Sequence, residues 1–233
     1  MMAQFENFAE DLWIVEGPDV RDFGVMFTTR MVVVRLQDGS LWVDSPVSTQ
    51  SDTLKRVTAL GPVKYLVAGT PRHIWRLASW HHLFPNAELW ASRNTPFTLK
   101  KGNLELTGTL ADQPPRSWAG DLDQVAFKGN PLIEEVIFVH KKSRTVILDD
   151  LIQNHPPARG KPLRNALFAL AGVAYPHGGV PLDIRLSFIH RDRARQSLDR
   201  VLSWDFDKLI LAHGVCIEKN AKAFVERAFR WLM

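Results

Sequence analysis

Three stretches of apolar sequence end in residues able to bind a metal. Tyr65–Thr70 runs into Pro71, Arg72 and His73. Val146, Ile147 and Leu148 run into Asp149 and Asp150. Leu209–Ala212 runs into His213 and Gly214. In sheets packed against helices, ligand sites gather beyond strand ends, where loops converge. Neutral imidazole together with carboxylate suits Zn, Fe or Mn. The expected ligand set is therefore His73, Asp150 and His213 around one divalent ion, Zn or Fe. Asp149 and His190 are the expected aids to proton transfer, as catalytic groups beside the ion. Each residue also has a structural reading: His73 in the first turn of a helix, Asp149 or Asp150 as a cap, His213 as a turn residue before glycine.

Other histidines are weaker candidates. His81 lies eight residues beyond His73, about 80° around a helix, so it could sit on an adjacent face. His81 and His82 read better as a surface or packing pair. His177, in Pro176-His177-Gly178-Gly179, belongs to a loop able to act as a lid. Cys216 follows His213 closely, but a buried apolar thiol is the commoner fate of such a residue. The sequence has no Gly-x-Ser-x-Gly elbow, no Gly-x-Gly-x-x-Gly and no Walker loop, so serine-nucleophile and those nucleotide-binding devices are not indicated.

The elements that must hold these side chains can be read in outline. Leu12–Glu16 and the β-branched run Val25–Leu36 read as strands. Gln37–Ser40 supplies an Asp-Gly turn, and Leu41–Val47 returns as a hairpin partner. Helical spacing covers Ser51–Leu60, ended by Gly61-Pro62, then a buried strand Val63–Ala68, a helix His73–Phe84 and a short strand Ala87–Ala91. This β-α-β-α-β succession predicts strands of one sheet with helices packed on it. From Arg93 to Asn130 the pattern is poor. Ile133–His140 and Arg144–Leu148 form a second hairpin. Leu163–Val173 and Arg191–Trp204 read as helices, Tyr175–Val180 as a loop, Leu209–Ala212 as a strand and Asn220–Leu232 as an amphipathic helix.

The bulk composition fits one α/β domain spanning residues 1–233. The 233 residues are 45% hydrophobic, with eight Trp and thirteen Phe to fill a core. A lone cysteine allows no disulfide within the chain and no thiolate cluster. The first residues carry three acids and no base, unlike a secretory signal, and no apolar run approaches membrane-span length. A cytoplasmic protein is expected, with neither a membrane nor a nucleic acid as partner. The net charge is +4, but its densest basic run, His190–Arg195, is interrupted by Asp192 and reads as a solvated helix face.

Here the order of elements resembles the metallo-β-lactamase fold superfamily. Leu41-Trp42-Val43-Asp44-Ser45-Pro46 is similar to that family's strand ending in Asp and a small residue. Val146–Leu151 is similar to its strand ending in the metal-bridging Asp, and Leu209–Gly214 to its late strand ending in a His-Gly ligand. The resemblance spans nearly the whole chain. It implies an αββα sandwich, two central mixed β-sheets flanked by helices. The family's His-x-His-x-Asp-His cluster is reduced to Thr70–Arg76, where His73 alone survives and Trp75 and Arg76 fall at the places of the Asp and final His. The resemblance is thus to a divergent, uncharacterised subgroup with a reduced, at most mononuclear metal site.

Two functions follow as expectations. One is a metal-dependent hydrolase of a small-molecule ester, lactone or thioester. The other is a non-catalytic member that binds a small molecule or protein partner, in which Arg76 would meet a carboxylate such as Asp150. An iron oxidoreductase shares the ligand set, and the fold resemblance ranks it below hydrolysis.

Overall fold

The computed structural model describes residues 5–22, 25–48, 50–93 and 104–233. Residues 94–103 of the pattern-poor stretch and residues 1–4 of the segment weighed as a secretory signal lie outside the described residues.

Two mixed sheets form the centre. The larger has the order β1-β2-β5-β6-β7-β8-β9. Its strands are β1 (Phe5–Ala9), β2 (Leu12–Glu16), β5 (Arg30–Arg35), β6 (Leu41–Asp44), β7 (Val63–Ala68), β8 (Glu88–Ala91) and β9 (Gly108–Thr109). β1, β2, β5 and β6 are antiparallel neighbours, while β6 to β9 run parallel. The smaller sheet has the order β10-β11-β12-β13, from β10 (Leu122–Phe127), β11 (Glu135–His140), β12 (Thr145–Leu148) and β13 (Lys208–Leu211). β12 and β13 are parallel, in register Leu148 to Leu211. A separate hairpin joins β3 (Val20–Asp22) and β4 (Val25–Phe27).

Residue alternation decides the layers, because successive strand side chains face opposite ways. Val32 and Val34 of β5 join Trp42, Tyr65, Phe138, Ile147 and Ile210 in a core between the sheets. Trp42 and Phe138 meet edge to face across it, 4.9 Å between ring centroids. The alternate residues Met31 and Val33 pack outward with Val57 of α1 (Ser51–Thr58) and Leu77 and Trp80 of α2 (Leu77–Leu83). On the other side, Leu148, Leu209 and Leu211 pack against Leu198 of α5 (Arg191–Ser203) and Phe224 of α6 (Ala221–Ala228). Between β12 and α5 in sequence come α3 (Pro162–Leu170) and α4 (Leu182–Ser187). The result is helix, sheet, sheet, helix. Among the described residues no helix is long and apolar enough to cross a membrane.

The structure departs from the expected elements in places that matter. The run Val25–Leu36 is broken at Thr28 and Thr29, so that β4 and β5 belong to different sheets. The helix expected from His73 begins only at Leu77, and residues 71–76 are turns. β10 emerges from the pattern-poor stretch, with Gln124 buried in it and bonded to Trp118 and Ala111.

Candidate metal centre

The parallel strands β6 and β7 of one sheet and β12 and β13 of the other deliver their carboxyl-terminal ends to one edge of the sandwich. His73 follows β7, Asp149 and Asp150 follow β12, and His213 follows β13. Their atoms converge: His73 Nε2 lies 3.4 Å from His213 Nε2, and Asp150 Oδ1 lies 3.6 Å from the former and 3.3 Å from the latter. All three are at or near full burial, with side-chain exposures of 13%, 3% and 10%. An ion bound tetrahedrally at the usual Zn–N and Zn–O lengths spaces its ligand atoms about 3.4 Å apart, so this near-equilateral triangle fits such an ion without rearrangement.

Each ligand atom is aimed by a partner on its far side. His213 Nδ1 donates to the Thr28 carbonyl at 2.6 Å, which leaves the Nε2 lone pair facing the triangle. Thr28 Oγ1 also accepts the Gly214 N–H at 2.9 Å. The break between β4 and β5 therefore has a cause: Thr28 leaves the sheet to hold the β13 loop. Arg30 reinforces it, donating to the carbonyls of Leu211 and Gly214. Thr70 Oγ1 donates to Asp150 Oδ2 at 2.8 Å. His73 Nδ1 lies 2.8 Å from Ser45 Oγ and 3.3 Å from Asp149 Oδ1, and the Ser45 hydroxyl lies 2.9 Å from the same Asp149 oxygen. Ser45 holds a left-handed backbone, φ 53°, uncommon for a residue with a side chain, and this turns its hydroxyl toward His73.

Behind the ligands sits Glu135, fully buried at the start of β11. Its carboxylate accepts the N–H groups of Asp149, Asp150 and Leu151 at 2.7, 2.9 and 2.8 Å. That clamp fixes the turn carrying both aspartates. Asp44 is fully buried and accepts the Gly69 N–H at 3.3 Å.

Four buried carboxylates thus surround two imidazoles, and the electrostatics follow. Burial, then the neighbouring Asp149 and Asp150 carboxylates, pushes the Glu135 pKa well up. Asp44 is likewise raised by burial and by Asp149. Burial opposes a charge on His73, but Asp149 and Asp150 outweigh it and hold its pKa well above the usual range. Burial also opposes a charge on Asp150, yet His73 and His213 hold its pKa well below. The pocket demands positive charge at its centre, which a proton on His73 meets in part and a divalent ion meets more fully. One oxygen, Asp149 Oδ2, is buried with no hydrogen-bond partner among the described residues. The donor set fits one metal ion.

The other expected residues are placed as follows. Asp149 touches His73 through its far nitrogen. His190 caps α5, is exposed, and lines a cleft with Arg93, Lys128 and Glu134; no described contact joins it to His73, Asp150 or His213. His81 and His82 lie in the last turn of α2. His177 is exposed in its loop. Cys216 is half-buried against the inter-sheet core. Trp75 and Arg76 are exposed, Trp75 at 75%. The partners of Asp150 are Thr70, His73 and His213, not Arg76. Sequence reasoning passed over Ser45, Thr70, Glu135 and Thr28 as functional residues. Ser45 and Thr70 stood at strand ends like the ligands, and Glu135 stood with Glu134 at the head of the apolar run Val136–Val139. Thr28 gave no signal.

A family model described as "Domain of unknown function (DUF4336)" matches residues 10–165, a span that includes His73, Asp149 and Asp150 but stops short of His213. A search of curated proteins finds no match. Among solved structures, the DIM-1 metallo-β-lactamase exposed to ceftazidime is similar over 99% of this chain and 98% of its own, with 14% identity and a TM-score of 0.67. A metallo-β-lactamase from Pontibacter korlensis is similar over 99% of both chains, with 10% identity and a TM-score of 0.65. The metal-soaked Flv1 flavodiiron core from Synechocystis sp. PCC6803 is similar over 99% of this chain and 60% of its own, with 10% identity and a TM-score of 0.66. The chain has the metallo-β-lactamase fold, in a divergent form.

Proposed function

The chain belongs to the DUF4336 family, and from that premise we propose that it is a hydrolase dependent on one divalent metal ion, Zn or Fe, acting on a small-molecule ester, lactone or thioester. The observation that carries this reading is the triangle of His73 Nε2, His213 Nε2 and Asp150 Oδ1, with edges of 3.3 to 3.6 Å. Three protein ligands leave a coordination position open for water or substrate. A divalent ion held there supplies hydroxide near neutral pH and polarises a carbonyl.

The chain's own residues do the rest. The Thr28 carbonyl keeps the proton of His213 on Nδ1. Ser45 and Asp149 take the proton of His73 on Nδ1, so that its Nε2 lone pair faces the centre. Thr70 holds Asp150 Oδ2 and leaves Oδ1 free. In this reading Asp149 is a positioning residue acting through His73. The non-catalytic alternative had Arg76 at the carboxylate, and the exposed position of Arg76 speaks against it.

The test is metal analysis of the full chain purified without chelators, beside His213→Ala, with hydrolysis assayed over esters, lactones and thioesters. The expected result is a single equivalent of Zn or Fe in the wild type, lost together with hydrolysis in a variant that remains folded by circular dichroism. Wild-type protein that retains no ion, even after reconstitution, overturns the reading.

A further inference from the structure

A cleft of about 630 Å³ opens between the β10–β11 loop and the start of α5. Its lining includes Arg93, Lys128, Asn130, Glu134, His190 and Arg193. Lys128 is paired with Asp112, whereas Arg93 and Arg193 are exposed and make no ion pair among the described residues. The one carboxylate in the lining, Glu134, faces Arg93 and Lys128, and burial pushes its pKa up while those two cations pull it down. Cations outnumber it. The loop between β10 and β11 is held in shape by Asn130, whose Oδ1 accepts the N–H groups of Leu132 and Ile133 while its Nδ2 donates to Ser187.

The cleft's position gives it meaning. Arg93 follows β8, and its neighbour Ser92 donates its N–H to Ala68 O at the end of β7, the strand that leads to His73. Glu134 precedes Glu135, the residue that clamps the Asp149–Asp150 turn. Cleft and centre thus share one edge of the sandwich. The cleft lies over β10 and β11 and the centre over β12 and β13, two strand spacings or roughly 10 Å apart. A small molecule with a scissile group at one end and an anion at the other spans that distance.

We propose that this cleft binds the oxyanion, phosphate or carboxylate, of the molecule whose scissile carbonyl reaches the His73–Asp150–His213 centre, an assignment that rests on the hydrolase reading for its second half only. Arginine forks match both anions, and paired arginines favour them over a neutral group.

The experiment has two arms. In the first, backbone amide shifts of the isotope-labelled full chain are followed during titration with inorganic phosphate or with acetate. Saturable shifts are expected in residues 128–134 and 190–196, with a Kd on the order of 1 mM, weakened about tenfold or more in Arg93→Glu and Arg193→Glu. The tighter of the two anions names the source. In the second arm, matched esters with and without a distal phosphate or carboxylate are compared; the wild type's kcat/KM preference for the anionic ester collapses in either variant. Shifts confined to residues around 70–73, 150 and 213, or no saturation with either anion, overturn the proposal. Saturation at the cleft without hydrolysis of any ester retains the anion site and removes only the hydrolase reading.

Discussion

Thr70 Oγ1 donates to Asp150 Oδ2 at 2.8 Å, so the carboxylate oxygen that faces the two imidazoles is Oδ1. One hydroxyl thereby selects the oxygen that binds. Thr70→Val keeps the side chain's shape and removes that hydrogen bond. The expected outcome is an ion affinity lower by about 10- to 100-fold, with little change in fold, read by competition with a chromophoric chelator. Unchanged affinity would show that Asp150 is held by its turn alone.

Glu135 accepts three N–H groups from the turn that carries both aspartates. Glu135→Gln replaces one of the two accepting carboxyl oxygens by an amide NH2 and so sets N–H groups against N–H donors. The lost acceptor decides the outcome, because buried donors without partners are costly. Destabilisation of about 1–3 kcal/mol is expected, measured by urea unfolding. A variant as stable as the wild type would sink the clamp.

Gly69 sits where no side chain fits. A Cβ there would lie 2.9 Å from Val136 O and 3.0 Å from Asp149 Oδ2. Gly69→Ala is expected to cost about 1–3 kcal/mol by overpacking and to displace Asp149 from His73. Thermal unfolding reads the first effect and ion titration the second.

His155 gives a pH test away from the ligands. It is stacked on Phe168 with ring centroids 4.1 Å apart, and its Nε2 bonds Gln153 Oε1 at 2.9 Å. Burial, then the nearby His213 and Arg164, lowers its pKa from 6.5 to about 3. The folded protein keeps it neutral, while the unfolded chain takes up a proton below 6.5. Its contribution is therefore complete above pH 6.5 and is lost as pH falls toward 3, at a slope of up to about 1.4 kcal/mol per pH unit. In His155→Phe that part of the slope disappears. Equal slopes in both proteins between pH 6.5 and 5 would contradict the assignment.

The candidate ligands were legible because each follows an apolar strand within five residues, in the loops that leave the strand ends. The β-α-β-α-β succession made one helix-covered sheet legible, and the αββα layering followed only from the resemblance to the metallo-β-lactamase fold. What escaped depends on contacts distant in sequence. Thr28 and Thr29 are β-branched, so local propensity carries a strand straight through them. The break exists because His213, far along the chain, needs the Thr28 carbonyl. β10 was hidden by its buried Gln124, a polar residue satisfied by Trp118 and Ala111 rather than by solvent. His73 was expected inside a helix and instead occupies a turn, where its ring is free to face Asp150.

His73 follows a strand of the larger sheet, whereas Asp150 and His213 follow strands of the smaller one. An ion shared by the three would rivet one layer to the other. Its loss would loosen their mutual docking before either layer frayed, and excess ion would raise the melting temperature in proportion to the logarithm of its concentration. Occupancy would then report whether the two layers are seated on each other.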